Sequence, residues 1–516
     1  MSRFFFLLLL LFPVLPVFGS FDEVEAIFPD TCTSTYTPGV VASDPVPGVD
    51  GTVIAYWTAG SFVENQVVLI VNGNSFGEPD YVDLAEHLAQ NGFIAVVAIR
   101  PDGVDPVDFV FTALEGTFDW LGIDPDGDDY GLALVGHSVG GGVVVDAAVA
   151  NDDNGMGYSI GGVANLAPVA SSEHLDESDT PSFLVIYGSQ DEDVDGFNGL
   201  TPAEAHAAYD NAGTESTTTC NNPPCLDTRP GLERTMVFVY GADHAGLVGK
   251  DTHFAWGGEP QDLEYVSGAD QLCIVKAYLT GFLRYRLYDI EVYRGLLRGE
   301  WQPVSVDAIT TNKADFFGNP AGSDMRLFVQ ASPAERKVIQ NFEFDLGAVT
   351  LGPGVVAQHL DNASFNAPFH IRHRTAHAAV GWEADVDTVP WIRWDVPSIS
   401  QDASSYTHVS IRLGQLEGIP APNANPFGAD QRLWIGVEDH LGQIYWHWID
   451  DVPPPDVYLD PPSPRARSGM HTERIHTEML DRVIDIGHVI GVYLAFPESS
   501  TGSLIVDSIE WHRDGV

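Results

Sequence analysis

Leu134-Val135-Gly136-His137-Ser138-Val139-Gly140-Gly141 is the stretch on which the reading of this chain turns. An apolar run, Tyr130 to Val135, leads into it, and a second, Val143 to Val149, leads out. The pattern predicts a strand, a sharp turn and a helix. In a Gly-x-Ser-x-Gly turn of this kind the serine sits strained and exposed at the helix N-terminus. Small residues flank it because a side chain at either glycine would strike the neighbouring strand or helix. Glycine and serine are common, so the motif alone says little. Its weight comes from residues farther along the chain.

Two more strands end in groups that could serve such a serine. Phe183-Leu184-Val185-Ile186-Tyr187 precedes Gly188-Ser189-Gln190-Asp191, and Met236-Val237-Phe238-Val239-Tyr240 precedes Gly241-Ala242-Asp243-His244. A serine hydroxyl is a poor nucleophile until a neutral imidazole takes its proton. The imidazole in turn needs a carboxylate to fix its tautomer and stabilise the imidazolium. Ser138, Asp191 and His244 are therefore the candidate catalytic residues. Asp193 and Asp195 share the acid loop, but Asp191 holds the position that a Gly-x-x-Asp turn favours. His253 is the other nearby histidine, and it follows no strand. Charge developing on a tetrahedral intermediate calls for two backbone N–H donors. Val139, after the serine, is one candidate. Asn74, in the loop after the strand Val67-Val68-Leu69-Ile70-Val71, is the other.

The order serine, acid, histidine, each after a strand, is that of the α/β-hydrolases. The stretch from about Gly51 to Trp301 resembles secreted α/β-hydrolases of the dienelactone hydrolase, cutinase and polyester hydrolase group. The matching segments are LIVNGNSFGEPDYVDLAEHLAQNGFIAVVAIRP, GIDPDGDDYGLALVGHSVGGG, ANLAP, FLVIYGSQDEDV, VYGADHAGL and IVKAYLTGFLRYRLYDIEVYRGLLRGEW. The resemblance implies a doubly wound, mostly parallel sheet. It also implies ester hydrolysis through an acyl-enzyme on Ser138, with no cofactor for catalysis. Polyester-degrading members place one aromatic side chain in the oxyanion loop and another after the Ala-Pro that follows strand six. Here those places hold Asn74 and roughly Ser172. The reading expected is thus a carboxylic-ester hydrolase; the alternatives are a polyester hydrolase or an esterase of acylated polysaccharide, and, outside the enzymes, a binding or matrix protein with an inactive hydrolase domain.

Length and ends set the frame. At 516 residues two domains are the natural count. Residues 1–19 read as a secretory signal peptide: Arg3, an apolar core from Phe4 to Leu11, and an exit at Val17-Phe18-Gly19. The chain is expected outside the cytoplasm, extracellular or periplasmic, with no membrane-spanning segment. Four cysteines then allow three pairings. Cys220–Cys225, closing a short Asn-Asn-Pro-Pro loop, and Cys32–Cys273, tying the mature N-terminus to a late helix, are the favoured ones. The net charge is −49, with 4 Lys against 48 Asp. Such a surface repels nucleic acid and anionic membranes, and it resembles an adaptation to high salt. A monomer is expected.

The boundaries read as 1–19, 20–302 and 303–516. From about Pro303 helical periodicity fades and short alternating strands take over, as in Trp391 to Asp395, His408 to Leu413, Leu433 to Val437 and Ile444 to Trp448. An all-β sandwich is predicted. The opening VIQNFEFD and the closing run from His471 to His512 resemble galactose-binding-like jelly rolls, common as carbohydrate-binding modules. That resemblance implies a polysaccharide or polymer surface as partner. It also implies a structural calcium held by Glu343 and Asp507. Trp446 and Trp448 must share a face, by the two-residue alternation of a strand, and with Trp434 they either pack the core or form a binding platform. The Pro-rich run 450–467 reads as a loop. Asp124, Asp126, Asp128 and Asp129 lack the glycine and glutamate spacing of a calcium loop. His370, His373 and His377 lie in an alternating polar stretch, and no Cys-x-x-Cys spacing suggests zinc.

Overall fold

The structure, a computed structural model, describes residues 40–58, 66–125, 130–169, 182–188, 233–239, 241–250, 266–299, 325–330, 336–340, 347–353, 355–360, 377–383, 388–415, 431–452, 456–460, 463–467, 471–496 and 501–513, with Cys32, Asp191 and a few other single residues. Residues 1–19, Cys220, Cys225, Glu343, His370, His373 and the side chains of His377 and Asp507 lie outside the described residues.

The first half builds one mixed sheet. Its strands are β1 (Val41–Pro45), β2 (Thr52–Thr58), β3 (Gln66–Val71), β4 (Ile94–Ile99), β5 (Gly131–His137), β6 (Ile160–Leu166), β7 (Ser182–Gly188), β8 (Glu233–Val239) and β9 (Met325–Gln330), in the order β1-β2-β4-β3-β5-β6-β7-β8-β9. From β4 through β8 every pair is parallel, while β1, β2 and β9 add antiparallel edges. Parallel strands need crossovers, and helices supply three of them: α1 (Val82–Gln90) leads from β3 to β4, α2 (Pro106–Leu121) from β4 to β5 and α3 (Val139–Asp153) from β5 to β6, while α4 (Gly268–Tyr288) and α5 (Val292–Leu297) follow β8.

Burial explains why these strands read as continuous apolar runs. Val67, Leu69 and Val71 of β3 join one core with Phe109, Leu114 and Phe118 of α2 and Val144 of α3. Val68 and Ile70 join a second core with Leu84 and Leu88 of α1 and Ile274, Tyr278 and Phe282 of α4. Both faces of the sheet are covered, so alternation disappears from the sequence. At the start of β8, buried Glu233 accepts hydrogen bonds from Arg294 Nε (3.1 Å), Arg298 Nη2 (3.2 Å) and the Tyr285 hydroxyl (2.9 Å). Burial raises the Glu233 pKa, but Arg298 and Arg294 outweigh it and hold the carboxyl below its ordinary range. No helix among the described residues is long and apolar enough to cross a membrane.

The second half is antiparallel β. One sheet runs β12 (Val355–Leu360), β13 (His377–Glu383), β22 (Thr501–His512), β15 (His408–Gln415) and β20 (His471–His476), with β10 (Arg336–Gln340) also on β22. The other runs β11 (Val349–Leu351), β14 (Trp391–Asp395), β21 (Val489–Ala495), β16 (Gln431–Asp439) and β17 (Ile444–Val452). Their inward residues merge in one core, with Val380, Ile411 and Val506 from the first sheet and Trp394, Ile435 and Leu494 from the second. Leu433, Ile435 and Ile449 point inward, which puts Trp434, Trp446 and Trp448 on the outer face. Trp446 is 39% exposed, and its ring covers Gly436, where a Cβ would come within 2.6 Å of it.

One expectation is corrected. The run 450–467 contains the end of β17 and a separate hairpin of β18 (Asp456–Asp460) and β19 (Ser463–Arg467), rather than a loop. A two-stranded ribbon consists only of edge strands, where a proline such as Pro464 is tolerated.

Candidate active site

Ser138 stands between β5 and α3 with φ 56° and ψ −124°, a region an L residue enters only under constraint. The constraint is steric and lies in three glycines. A Cβ on Gly136 would fall 2.2 Å from the Gly140 carbonyl, and one on Gly140 would fall 2.5 Å from the Val71 carbonyl of β3. A Cβ on Gly141 would meet Pro168 at 2.6 Å. Each contact is closer than real Cβ atoms come, so the motif reports how tightly helix and strand meet. The elbow is less open than expected. Ser138 is 3% exposed, because Gly73 of the β3 loop lies against it: a Cβ there would come 2.7 Å from the Ser138 Cβ.

Asp191 and His244 meet. His244 Nδ1 donates to Asp191 Oδ2 at 2.9 Å, with both side chains buried. Asp191 ends the expected turn after β7, its N–H donating to the Gly188 carbonyl at 3.3 Å. The two loops are pressed together, since a Cβ on Gly188 would fall 2.3 Å from the Ala242 carbonyl of the loop after β8. The His244 loop is braced from α4. Gln271 Oε1 accepts from the Asp243 N–H at 3.0 Å, Gln271 Nε2 donates to the Val266 carbonyl at 2.7 Å, and Asp243 Oδ1 accepts from the Gly246 N–H at 2.6 Å.

His137 joins the serine turn to the His244 loop. Its Nε2 donates to the His244 backbone carbonyl at 3.2 Å. A carbonyl can only accept, so the ring proton is on Nε2 and Nδ1 carries a lone pair. The Tyr81 hydroxyl donates to that Nδ1 at 2.9 Å and accepts from the Gly73 N–H at 2.9 Å. One chain of hydrogen bonds thus runs from the β3 loop through Tyr81 and His137 to His244. Burial, with the neighbouring His244 adding to it, pushes the His137 pKa down to about 3, so this ring stays neutral. Burial pushes the Tyr81 phenol well up. Phe76 packs edge-on to His137, ring centres 4.6 Å apart, and tilted on His244 at 5.9 Å. The two imidazoles themselves lie 4.9 Å apart.

The N–H of Val139 opens α3, where the first amides have no partner within the helix. On the β3 loop, the amides of Asn72, Gly73 and Phe76 are taken by Ala98 O, the Tyr81 hydroxyl and Gly73 O. That narrows the donor on this loop to Asn74 or Ser75, both exposed, with Ser75 at φ 65°. Asp193, Asp195, Ser172 and His253 lie outside the described residues. Cys32 and Cys273 are paired, Cα atoms 4.8 Å apart, tying an early segment to the same helix as Gln271.

Sequence reasoning missed Tyr81, His137, Phe76 and Gln271. For Phe76 a signal existed, since it is the aromatic of the β3 loop, two residues beyond the place inspected. No protein-family model matches the chain, and no curated protein matches it as a relative.

Proposed function

We propose that this chain is a serine carboxylic-ester hydrolase with an α/β-hydrolase fold, followed by a jelly-roll module. The observation that carries this reading is the buried 2.9 Å pair of His244 and Asp191, with the His244 ring 4.9 Å from that of His137, the residue directly before a serine held at positive φ. His244 Nδ1 is committed to Asp191, which leaves Nε2 as the atom that takes the Ser138 proton. The Ser138 Oγ adds to the ester carbonyl, and the negative oxygen is received by the Val139 and Asn74 amides. Collapse breaks the bond to the alkoxy group, which leaves with the proton that His244 had taken. Water, deprotonated by His244, then attacks the acyl-enzyme, and the acid departs as Ser138 is reprotonated. All atoms come from ester and water, so the cycle calls for no cofactor.

The outward row Trp434, Trp446 and Trp448 supports a polymeric ester or acylated polysaccharide as the setting, with the second half holding the enzyme to a surface. Gly436 lets the Trp446 ring lie flat on the sheet. The Cys32–Cys273 pair fits an oxidising compartment, in keeping with export. The −49 charge argues against nucleic acid or an anionic membrane as partner.

The test is turnover of a short-chain aryl ester by the full chain and by Ser138→Ala. The reading requires hydrolysis that is lost in the variant while the unfolding midpoint is kept. Equal rates in the two proteins would refute it, as would no turnover of any ester. The second outcome would leave a binding protein with an inactive hydrolase-like half.

A further inference from the structure

Two histidines and an aspartate converge at one end of the five-stranded sheet. His440 directly follows β16 and His488 directly precedes β21, its neighbour in the sheet, and the His440 N–H donates to the His488 carbonyl at 2.9 Å. Asp485 opens the short 3-10 turn Ile486–His488, with its Oδ1 accepting from the Gly487 N–H at 3.0 Å. Its other oxygen, Oδ2, faces both imidazoles, 2.9 Å from His488 Nδ1 and 3.5 Å from His440 Nδ1. The three atoms lie within 4.8 Å of one another, and all three side chains are exposed.

The cluster is braced from below. Asp439 is 1% exposed, and its Oδ1 accepts from the N–H groups of Leu441 and Gln443, both at 2.9 Å. Its Oδ2 accepts from the Asp485 N–H at 3.0 Å. One buried carboxylate thereby fixes the His440 turn to the Asp485 turn, two segments far apart in sequence. An ordinary surface ion pair needs one imidazole at the carboxylate. Two imidazolium rings 4.9 Å apart at the same oxygen would repel each other. A cation shared by two neutral imidazoles replaces that repulsion with attraction.

We propose that His440 Nδ1, Asp485 Oδ2 and His488 Nδ1 form a binding site for a divalent transition-metal ion of the zinc kind. With metal–ligand bonds of about 2.0–2.1 Å, neighbouring donors of a tetrahedral ion sit about 3.3 Å apart, close to the two separations above. Two nitrogens and one oxygen favour zinc, copper or nickel over calcium or magnesium, which prefer oxygen donors. Three protein ligands on an exposed rim leave the fourth position to water or to an outside ligand. On binding, each ring presents its Nδ1 lone pair and keeps its proton on Nε2. The site joins the ends of β16 and β21, so the ion clips two central strands of the sheet. This inference does not depend on the ester-hydrolase reading.

The experiment is calorimetric titration of the metal-stripped full chain with zinc chloride, beside His440→Ala, Asp485→Asn and His488→Ala. Asp485→Asn keeps the oxygen that accepts from Gly487 and removes the charge. The site requires one equivalent of zinc to bind the parent chain, with affinity at least about tenfold lower in each variant, a fall of the kind even outer-shell changes produce. Calcium chloride should give no heat that the three substitutions remove. Unfolding midpoints without metal should match, since the three side chains are exposed. Zinc binding that is the same in parent and variants would overturn the proposal, as would no saturable binding in the parent.

Discussion

His137 Nε2 donates to the backbone carbonyl of His244 at 3.2 Å, so the residue before the serine holds the loop that carries the proposed base. The Tyr81 hydroxyl completes the link on the other side of the ring. Tyr81→Phe removes that hydroxyl and leaves the Gly73 N–H and His137 Nδ1 without it. Loss of a buried partner costs about 1–3 kcal/mol per group. The expected outcome is a lowered unfolding midpoint together with a kcat down by about tenfold to a hundredfold and little change in KM. A variant that loses stability but keeps kcat would make Tyr81 a packing residue only.

The low pKa of His137 gives stability a sign with pH. Unfolded, the ring takes a proton near 6.5; folded, it does so only at about 3. Between those values the unfolded chain binds more protons, so stability is full above about pH 6.5 and is lost as pH falls towards 3. His137→Gln should flatten this part of the midpoint-versus-pH curve while lowering the midpoint at neutral pH. A variant curve parallel to the parent's from pH 6.5 to 4 would show that His137 does not contribute. Because His137 is already neutral there, any limb of the rate profile near neutrality must come from another group, and His244 is the expected one.

Asp191 holds the tautomer of His244. Asp191→Asn should leave a folded chain with kcat down by up to about ten-thousandfold, because an amide can satisfy the wrong tautomer. Steady-state rates with a soluble ester read this directly. Near-full activity would remove Asp191 from the site and return attention to the neighbouring acids.

Gly140 and Gly77 test the steric reading of the elbow. A Cβ at Gly140 would press on the Val71 and Asn72 carbonyls at 2.5 and 2.7 Å, whereas at Gly77 the nearest atom is Pro79 Cδ at 3.5 Å. Gly140→Ala is expected to lower the unfolding midpoint strongly or to yield no soluble protein, and Gly77→Ala to stay near the parent. Thermal melts of the two variants decide it, and equal melts would contradict the close approach of α3 to β3.

The parallel sheet and the Asp191–His244 pair could be anticipated because strand ends leave local marks: an apolar run of strand length, then a glycine, then the polar group. β3, β5, β7 and β8 all carry that mark. The second half showed its strands by alternation, but not which face was inside. Trp446 turned outward because Leu433, Ile435 and Ile449 took the core. Tyr81, His137 and Gln271 left no such mark. Their roles depend on contacts between elements far apart in the chain, such as Tyr81 with His137 and Gln271 with Asp243, and nothing in their sequence neighbourhoods specifies those partners. The His440–Asp485–His488 cluster was hidden for the same reason, since it forms only when β16 and β21 pair.

The most direct test of the account is covalent. A fluorophosphonate reacts with a serine only when a neighbouring imidazole activates it and donors receive the new oxyanion. The full chain should gain one phosphonyl group, located by peptide mass spectrometry on Ser138, and the adduct should vanish in Ser138→Ala and fall sharply in His244→Ala. A chain that stays unlabelled, or labels equally well without Ser138 or without His244, would contradict it.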